Sequence, residues 1–161
     1  MINDLDRQIL TILQKNARTS NAEVARQVGL APSAVFERIR KLEERGVLRS
    51  YGARIDPRAV GLSLVAFTFV RSNDRPGGIQ TAEKLAEIPE VLEVHHVAGE
   101  DCFLVKVRAA DTESLGRLLR ERLGKIGTIT STRTTIVLET VKETVELPIA
   151  VQGEDEEVAS A

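Results

Sequence analysis

The tightest constraint on this chain lies between Ser20 and Pro32. Ser20-Asn21-Ala22-Glu23 has the form of a capping box, in which the serine hydroxyl takes the Glu23 amide and the carboxylate reaches back. It opens a short helix with Val24, Ala25 and Val28 inward. Gly29 stops that helix, because only glycine enters the left-handed region without steric cost. Leu30 and Ala31 leave room for a tight turn, and Pro32 suits the first position of a new helix. Two short helices joined this closely form a helix-turn-helix.

The flanking residues complete a small head. Asn3 or Asp4 caps a first helix running to about Asn16, with Leu5, Ile9, Ile12 and Leu13 on one face. The helix from Pro32 buries Val35, Ile39 and Leu42 and ends at Gly46. Val47 and Leu48 follow, and alternation through Tyr51, Ala53 and Ile55 predicts a wing strand. Residues 1–55 carry ten Lys/Arg against six Asp/Glu, a balance of +4, and residues 56–161 carry twelve against eighteen, a balance of −6. A basic head on an acidic body implies that the head alone meets a polyanion. Double-stranded DNA is the partner this predicts, with the helix from Pro32 in the major groove. Ser33, Ala34, Arg38, Arg40 and Lys41 face outward on that helix. Arg26 on the preceding helix, and Arg49 and Arg54 in the wing, are placed to sit over phosphates.

Asp56-Pro57-Arg58-Ala59-Val60-Gly61 breaks periodicity and reads as a linker over 56–61. A second domain over 62–148 then alternates strand, helix, strand, strand, helix, strand. The predicted strands are Leu64–Arg71, Val91–Val97, Cys102–Arg108 and Thr130–Val141. The first helix follows Pro76-Gly77-Gly78 with Ile79, Ala82, Leu85 and Ala86 inward; the second is capped by Asp111 and carries Leu115, Leu118, Leu119 and Leu123. The fold class is therefore α+β: a three-helix, winged-type helix-turn-helix followed by a ferredoxin-like βαββαβ domain. Helices on one face of such a sheet leave the other needing a partner, which predicts a homodimer. Residues 149–161, with Glu154, Asp155, Glu156 and Glu157, read as an acidic, disordered tail.

In the second domain, Gly99 allows a tight turn whose amides can receive a carboxylate, and Glu100 and Asp101 can receive an ammonium. Thr132 and Thr134 share one face of the last strand by period two. An acidic hairpin turn with solvated threonines is the plainer reading of the same residues. His95 and His96 are adjacent on a strand, point to opposite faces and cannot share one ion without distortion. No P-loop, dinucleotide fingerprint or metalloprotease motif is present, so no metal, cofactor or catalytic residue is assigned.

Taken together, these residues resemble the Lrp/AsnC (feast/famine) regulators. The resemblance rests on Leu5-Asp6-Arg7-Gln8-Ile9-Leu10, on Leu30 to Val35, and on Arg38 to Glu43. It continues through Gly46-Val47-Leu48, Tyr51 to Pro57, Val97 to Leu104 and Thr132-Arg133-Thr134, spanning roughly residues 3–148. It implies transcription regulation of amino-acid or related metabolism, dimers that assemble into octamers, and amino-acid effectors held between C-terminal domains. On that likeness Gly99, Glu100, Asp101, Cys102, Thr132 and Thr134 line the effector site. Two positions depart from the pattern. Ala31 stands where the family usually has a serine cap, and Cys102 where it often has Asp in a Gly-x-x-Asp turn.

No apolar run approaches the about 18 residues of a membrane span, and MINDLDRQIL has no signal-peptide pattern, so no membrane partner and a cytoplasmic location are expected. Two rival readings stand beside the regulator. Sirohaem decarboxylases share the architecture and do chemistry, with His95 or His96 as the suspects here. An architectural protein would wrap DNA without an effector.

Overall fold

The computed structural model describes residues 2–75 and 78–150. The chain forms two compact units, one running to Arg54 and rejoined by residues 143–150, the other Ile55–Lys142. The expected tail at 149–161 lies mostly outside the described residues, as do Pro76 and Gly77 of the expected helix lead-in.

The first unit holds α1 (Asp4–Lys15), α2 (Asn21–Val28) and α3 (Pro32–Glu44). Their apolar stripes meet in one core of Ile9, Leu13, Val24, Ala25, Val35 and Ile39. The complete capping box is at Asn3, whose side chain accepts from the Asp6 amide while Asp6 accepts from the Asn3 amide. At α2 only half of the expected box forms. Ser20 Oγ accepts from the Glu23 amide at 3.2 Å, but the Glu23 carboxylate turns along the helix to Arg26 and Gln27. A guanidinium one turn away competes for the carboxylate with a single backbone amide and wins. Gly29 caps α2 with φ 69°, as its position requires.

One sequence expectation fails in this unit. Residues 47–56 form no strand, so the alternation at Tyr51, Ala53 and Ile55 marks extended chain without a ladder partner. Among the described residues, 143–150 cluster with the head by contacts, a few residues before the expected end of the second domain at 148. Residues 143–150 lie along α1 as a strap. Gln14 donates to the Leu147 carbonyl at 2.8 Å and accepts from the Leu147 amide at 3.1 Å, copying one rung of a β-ladder with a side chain. Arg7 donates to the Ala150 carbonyl at 3.0 Å, and Arg54 to Thr144 Oγ1 at 3.2 Å. Val145, Leu147 and Ile149 alternate toward a groove of about 570 Å3 whose other wall includes Leu10, Leu13 and Tyr51. Gln14→Leu should release this strap, since one side chain satisfies both backbone groups of Leu147. Amide exchange at 144–150 should then accelerate while the α1–α3 core stays protected; unchanged exchange there would show that the clamp holds nothing.

The second unit carries β1 (Leu64–Ser72), α4 (Gln80–Ala86), β2 (Val91–His96), β3 (Phe103–Ala109), α5 (Thr112–Glu121) and β4 (Ile129–Ile136). The antiparallel sheet has the order β2-β3-β1-β4, the ferredoxin-like arrangement. One face, with Ala66, Val70, Phe103, Val105 and Val107, packs on Leu85, Leu115, Leu118 and Leu123. The register places Val65, Phe67 and Phe69 of β1 and Leu104 of β3 on the face that no helix covers. In α4 the buried residues are Thr81 and Leu85, while Ile79 and Ala86, expected inward, are exposed. Thr81 is tolerated inside because its hydroxyl pairs with that of Thr128 at 2.6 Å. β4 stops at Ile136, short of the predicted Val141, because the last ladder bond, from the Val137 amide to the Val65 carbonyl, reaches the end of β1.

Candidate DNA interface and effector site

α3 presents its N-terminal half outward from a bare helix start. Ala31 is the N-cap and makes no side-chain cap bond, and Pro32 follows as the first helical residue. Ser33 and Ala34 are exposed, as expected. The arginines behave differently. Arg38 donates to Asp6 Oδ1 at 2.8 Å and to Asn3 Oδ1 at 3.4 Å, tying α3 to the capped end of α1. Arg40 is held by Glu37 at 3.0 Å and Glu44 at 2.6 Å, and these carboxylates raise its pKa. Arg26 is held by Glu23 in the same way. Among the described residues Lys41, Arg45 and Arg49 are exposed and make no side-chain bond, and Arg54 reaches the strap. Thus three of the arginines predicted to grip DNA are already neutralised within the head. Spacing along α3 foretold exposure but not this pairing, although Glu37 and Glu44 lie one turn either side of Arg40. Phe36, a half-exposed aromatic, stands beside the buried Val35 and belongs to neither the core stripe nor the charged face of α3.

Hydrogen bonds from Arg26 and Gln27 pull the Glu23 carboxyl down to about 2. An NMR titration should find it far below the ordinary glutamate value of about 4.3. A depressed carboxylate adds stability above its ordinary pKa, and that contribution is lost as pH falls toward the folded value. A Glu23 midpoint near 4 would show that the clasp on Arg26 does not persist in solution. Burial, and then a 2.7 Å bond to Glu43, push the Tyr51 hydroxyl up to about 12.

In the second unit, Gly99 has φ 139°, a conformation side-chain-bearing residues rarely adopt. The turn it makes delivers Glu100 and Asp101 to two arginines of the uncovered sheet face. Arg71 lies 3.7 Å from Glu100 and 3.9 Å from Asp101, and donates to the Glu100 carbonyl at 3.1 Å. Arg133 donates to Asp101 at 3.1 Å while its guanidinium stacks 4.2 Å above the Phe69 ring. The Asp101 side chain is 22% exposed and that of Glu100 is 92% exposed, so Asp101 is the anchored acid. Thr132 and Thr134 share one face, as period two requires, but it is the opposite, helix-side face. They pair in register with Val70 and Thr68, and Thr134 bonds Thr68 at 3.0 Å. Cys102 also turns inward, its Sγ 3.4 Å from the Ser72 amide. The turn residues therefore split: Glu100 and Asp101 go to the open face, while Cys102, Thr132 and Thr134 go to the other. The two basic partners, Arg71 and Arg133, were missed because nothing local links residues 71, 101 and 133; only the β1–β4 register does.

His95 contacts Glu93 at 3.2 Å and His96 lies against the Phe103 ring at 5.1 Å between centroids, on opposite faces of β2 as expected. The histidine, ahead of Lys106, holds the Glu93 carboxyl below the usual range. No group of three or more metal-ligating side chains occurs among the described residues, and no described helix is long and apolar enough to cross a membrane.

A helix-turn-helix with an exposed recognition helix, joined to a ferredoxin-like domain with a charged turn on an uncovered sheet, defines a DNA-binding transcription regulator. Residues 2–49 match a winged helix-turn-helix DNA-binding model and residues 65–147 match the Lrp/AsnC ligand binding domain. The HTH-type transcriptional regulator FL11 of Pyrococcus horikoshii is 39% identical over 148 residues, covering 92% of this chain and 97% of its own. Among solved structures, a feast or famine regulatory protein from M. tuberculosis complexed with L-methionine superposes with TM-score 0.85 at 35% identity, covering 93% of this chain and 100% of its own. A transcriptional regulator from Neisseria meningitidis, in complex with L-Met, does so with TM-score 0.85 at 29% identity, covering 92% and 97%. The chain belongs to the Lrp/AsnC family of transcription regulators.

Proposed function

We propose that this protein regulates genes of amino-acid or related metabolism from the cytoplasm, binding double-stranded DNA as a homodimer or a larger assembly of dimers and responding to a free amino acid. It acts without catalysis. The observation that carries the effector reading is the cluster of Asp101, Glu100, Arg71 and Arg133 on the uncovered sheet face. A zwitterion needs one acid and one guanidinium side by side. Here an incoming carboxylate takes Arg71, and the ammonium takes Asp101. Two relatives of the same fold were solved with methionine, which makes that amino acid the first to test. Gly99 shapes the turn, and Cys102, Thr132 and Thr134 support it from behind. At the head, Ser33, Ala34, Lys41, Arg49 and Arg54 face DNA, while Arg26, Arg38 and Arg40 stay with their internal carboxylates and order the helices that present them.

A thermal-shift screen of the twenty amino acids tests the effector half, because a ligand that binds only the folded state raises its melting temperature. Asp101→Asn should weaken the best ligand by about 10- to 100-fold, the range of a charged hydrogen bond, while Glu100→Gln should matter less. No shift with any amino acid would remove the effector from this reading.

The open face explains why a dimer is needed. Phe67, Phe69 and Leu104 form a half-buried apolar stripe across β1 and β3, and a second copy covers it. Phe67→Asp should yield monomers in light scattering; a dimer of unchanged stability would place the interface elsewhere.

A further inference from the structure

We infer that Phe36 is a specificity-determining residue of the DNA interface, reading the C5-methyl group of a thymine in the major groove. It stands on the second turn of α3 and is 53% exposed, unlike Val35 beside it, which is fully buried. It takes no part in the head's core, whose half-buried contributors are Ile12, Val28, Leu30 and Leu48. With Ser33, Glu37 and Arg40 it forms an outward row at i, i+3, i+4 and i+7. Such a row, near the N-terminus of the second helix of a helix-turn-helix, is what meets base edges.

The chemistry of the rest of the helix narrows what it can read. α3 contains three acids and three bases, so it is neutral overall. Arg38 is committed to Asp6, and Arg40 lies between Glu37 and Glu44. The bidentate arginine–guanine contact, the commonest base contact in the major groove, would therefore cost an internal ion pair. Short or apolar side chains remain at the tip: Ser33, Ala34 and Phe36. Thymine is the only base that offers an apolar group there, and an exposed phenylalanine is the complement of a methyl. The aromatic ring gains from this contact only when DNA is bound, which accounts for its exposure in the free protein.

The test begins with the full-length protein and a duplex selected from a random pool, which also establishes DNA binding independently of Phe36. Each thymine of that duplex is then replaced by uracil, removing one methyl and nothing else. Wild-type protein should lose about four-fold in affinity at one thymine per half-site, the value of one buried methyl-sized group. Phe36→Ala should bind the parent duplex more weakly and lose nothing further at that same uracil. Phe36→Leu should retain part of the sensitivity. Circular dichroism should show both variants folded, as the exposure of the ring implies. Identical uracil profiles for wild type and Phe36→Ala would overturn the assignment. So would a change of oligomeric state in Phe36→Ala with the profile intact, which would mark the ring as a protein contact.

Discussion

Phe103→Ala should destabilise the ferredoxin-like domain by about 3–5 kcal/mol, the cost of emptying a phenylalanine site in a packed core. Phe103 is among the largest fully buried side chains, at 1% exposure, and it packs at the end of β3 within the cluster that joins the sheet to α4 and α5. Alanine keeps only the Cβ and leaves a cavity that Val70 and Leu85 cannot fill without moving the sheet. A whole domain is commonly stable by only about 5–15 kcal/mol, so the loss is a large share. The head has its own core of Ile9, Val24 and Val35. Chemical denaturation should therefore show one transition moved to low denaturant and the head's amides protected as before. A loss under 1 kcal/mol would mean that the sheet–helix core is looser than its burial indicates.

DNA affinity should fall steeply with salt. Among the described residues, Lys41, Arg45 and Arg49 make no internal side-chain bond and lie on or next to α3, and a dimer would present them twice. Each phosphate neutralised contributes about −0.9 to the slope of log K against log salt. Six such contacts give a slope of about −5 and roughly a thousand-fold loss between 50 and 200 mM salt. Arg26, Arg38 and Arg40 are screened by their own carboxylates and should add little. Lys41→Ala and Arg49→Ala should each flatten the slope. Arg40→Ala should leave it nearly unchanged. Titration by fluorescence anisotropy at four salt concentrations checks this; a flat line would remove the electrostatic grip.

Local signals in the sequence were reliable where the cause was local. The apolar stripe of α3, the stop at Gly29 and the cap at Asp111 appear as read, because each depends on residues within one or two turns. The signals failed where a partner far along the chain decided the outcome. Tyr51, Ala53 and Ile55 alternate like a strand, yet a strand exists only if another pairs with it. Val145, Leu147 and Ile149 alternate as well, and Gln14, a residue with no marked role in α1, is what holds them. At the Gly99 turn the acids are visible in Gly99-Glu100-Asp101, but Arg71 and Arg133 come from two other strands. Helical position alone points Arg38 toward DNA; its contact with Asp6 spans two helices and no period reveals it.

Anisotropy of a labelled, selected duplex, titrated with the protein in the presence and absence of each amino acid that raises its melting temperature, bears most directly on ligand-responsive DNA binding. Affinity for DNA should change several-fold with at least one such amino acid, and Asp101→Asn should bind the same duplex yet lose the response. A protein that binds DNA equally with and without every amino acid, as an architectural protein would, contradicts it.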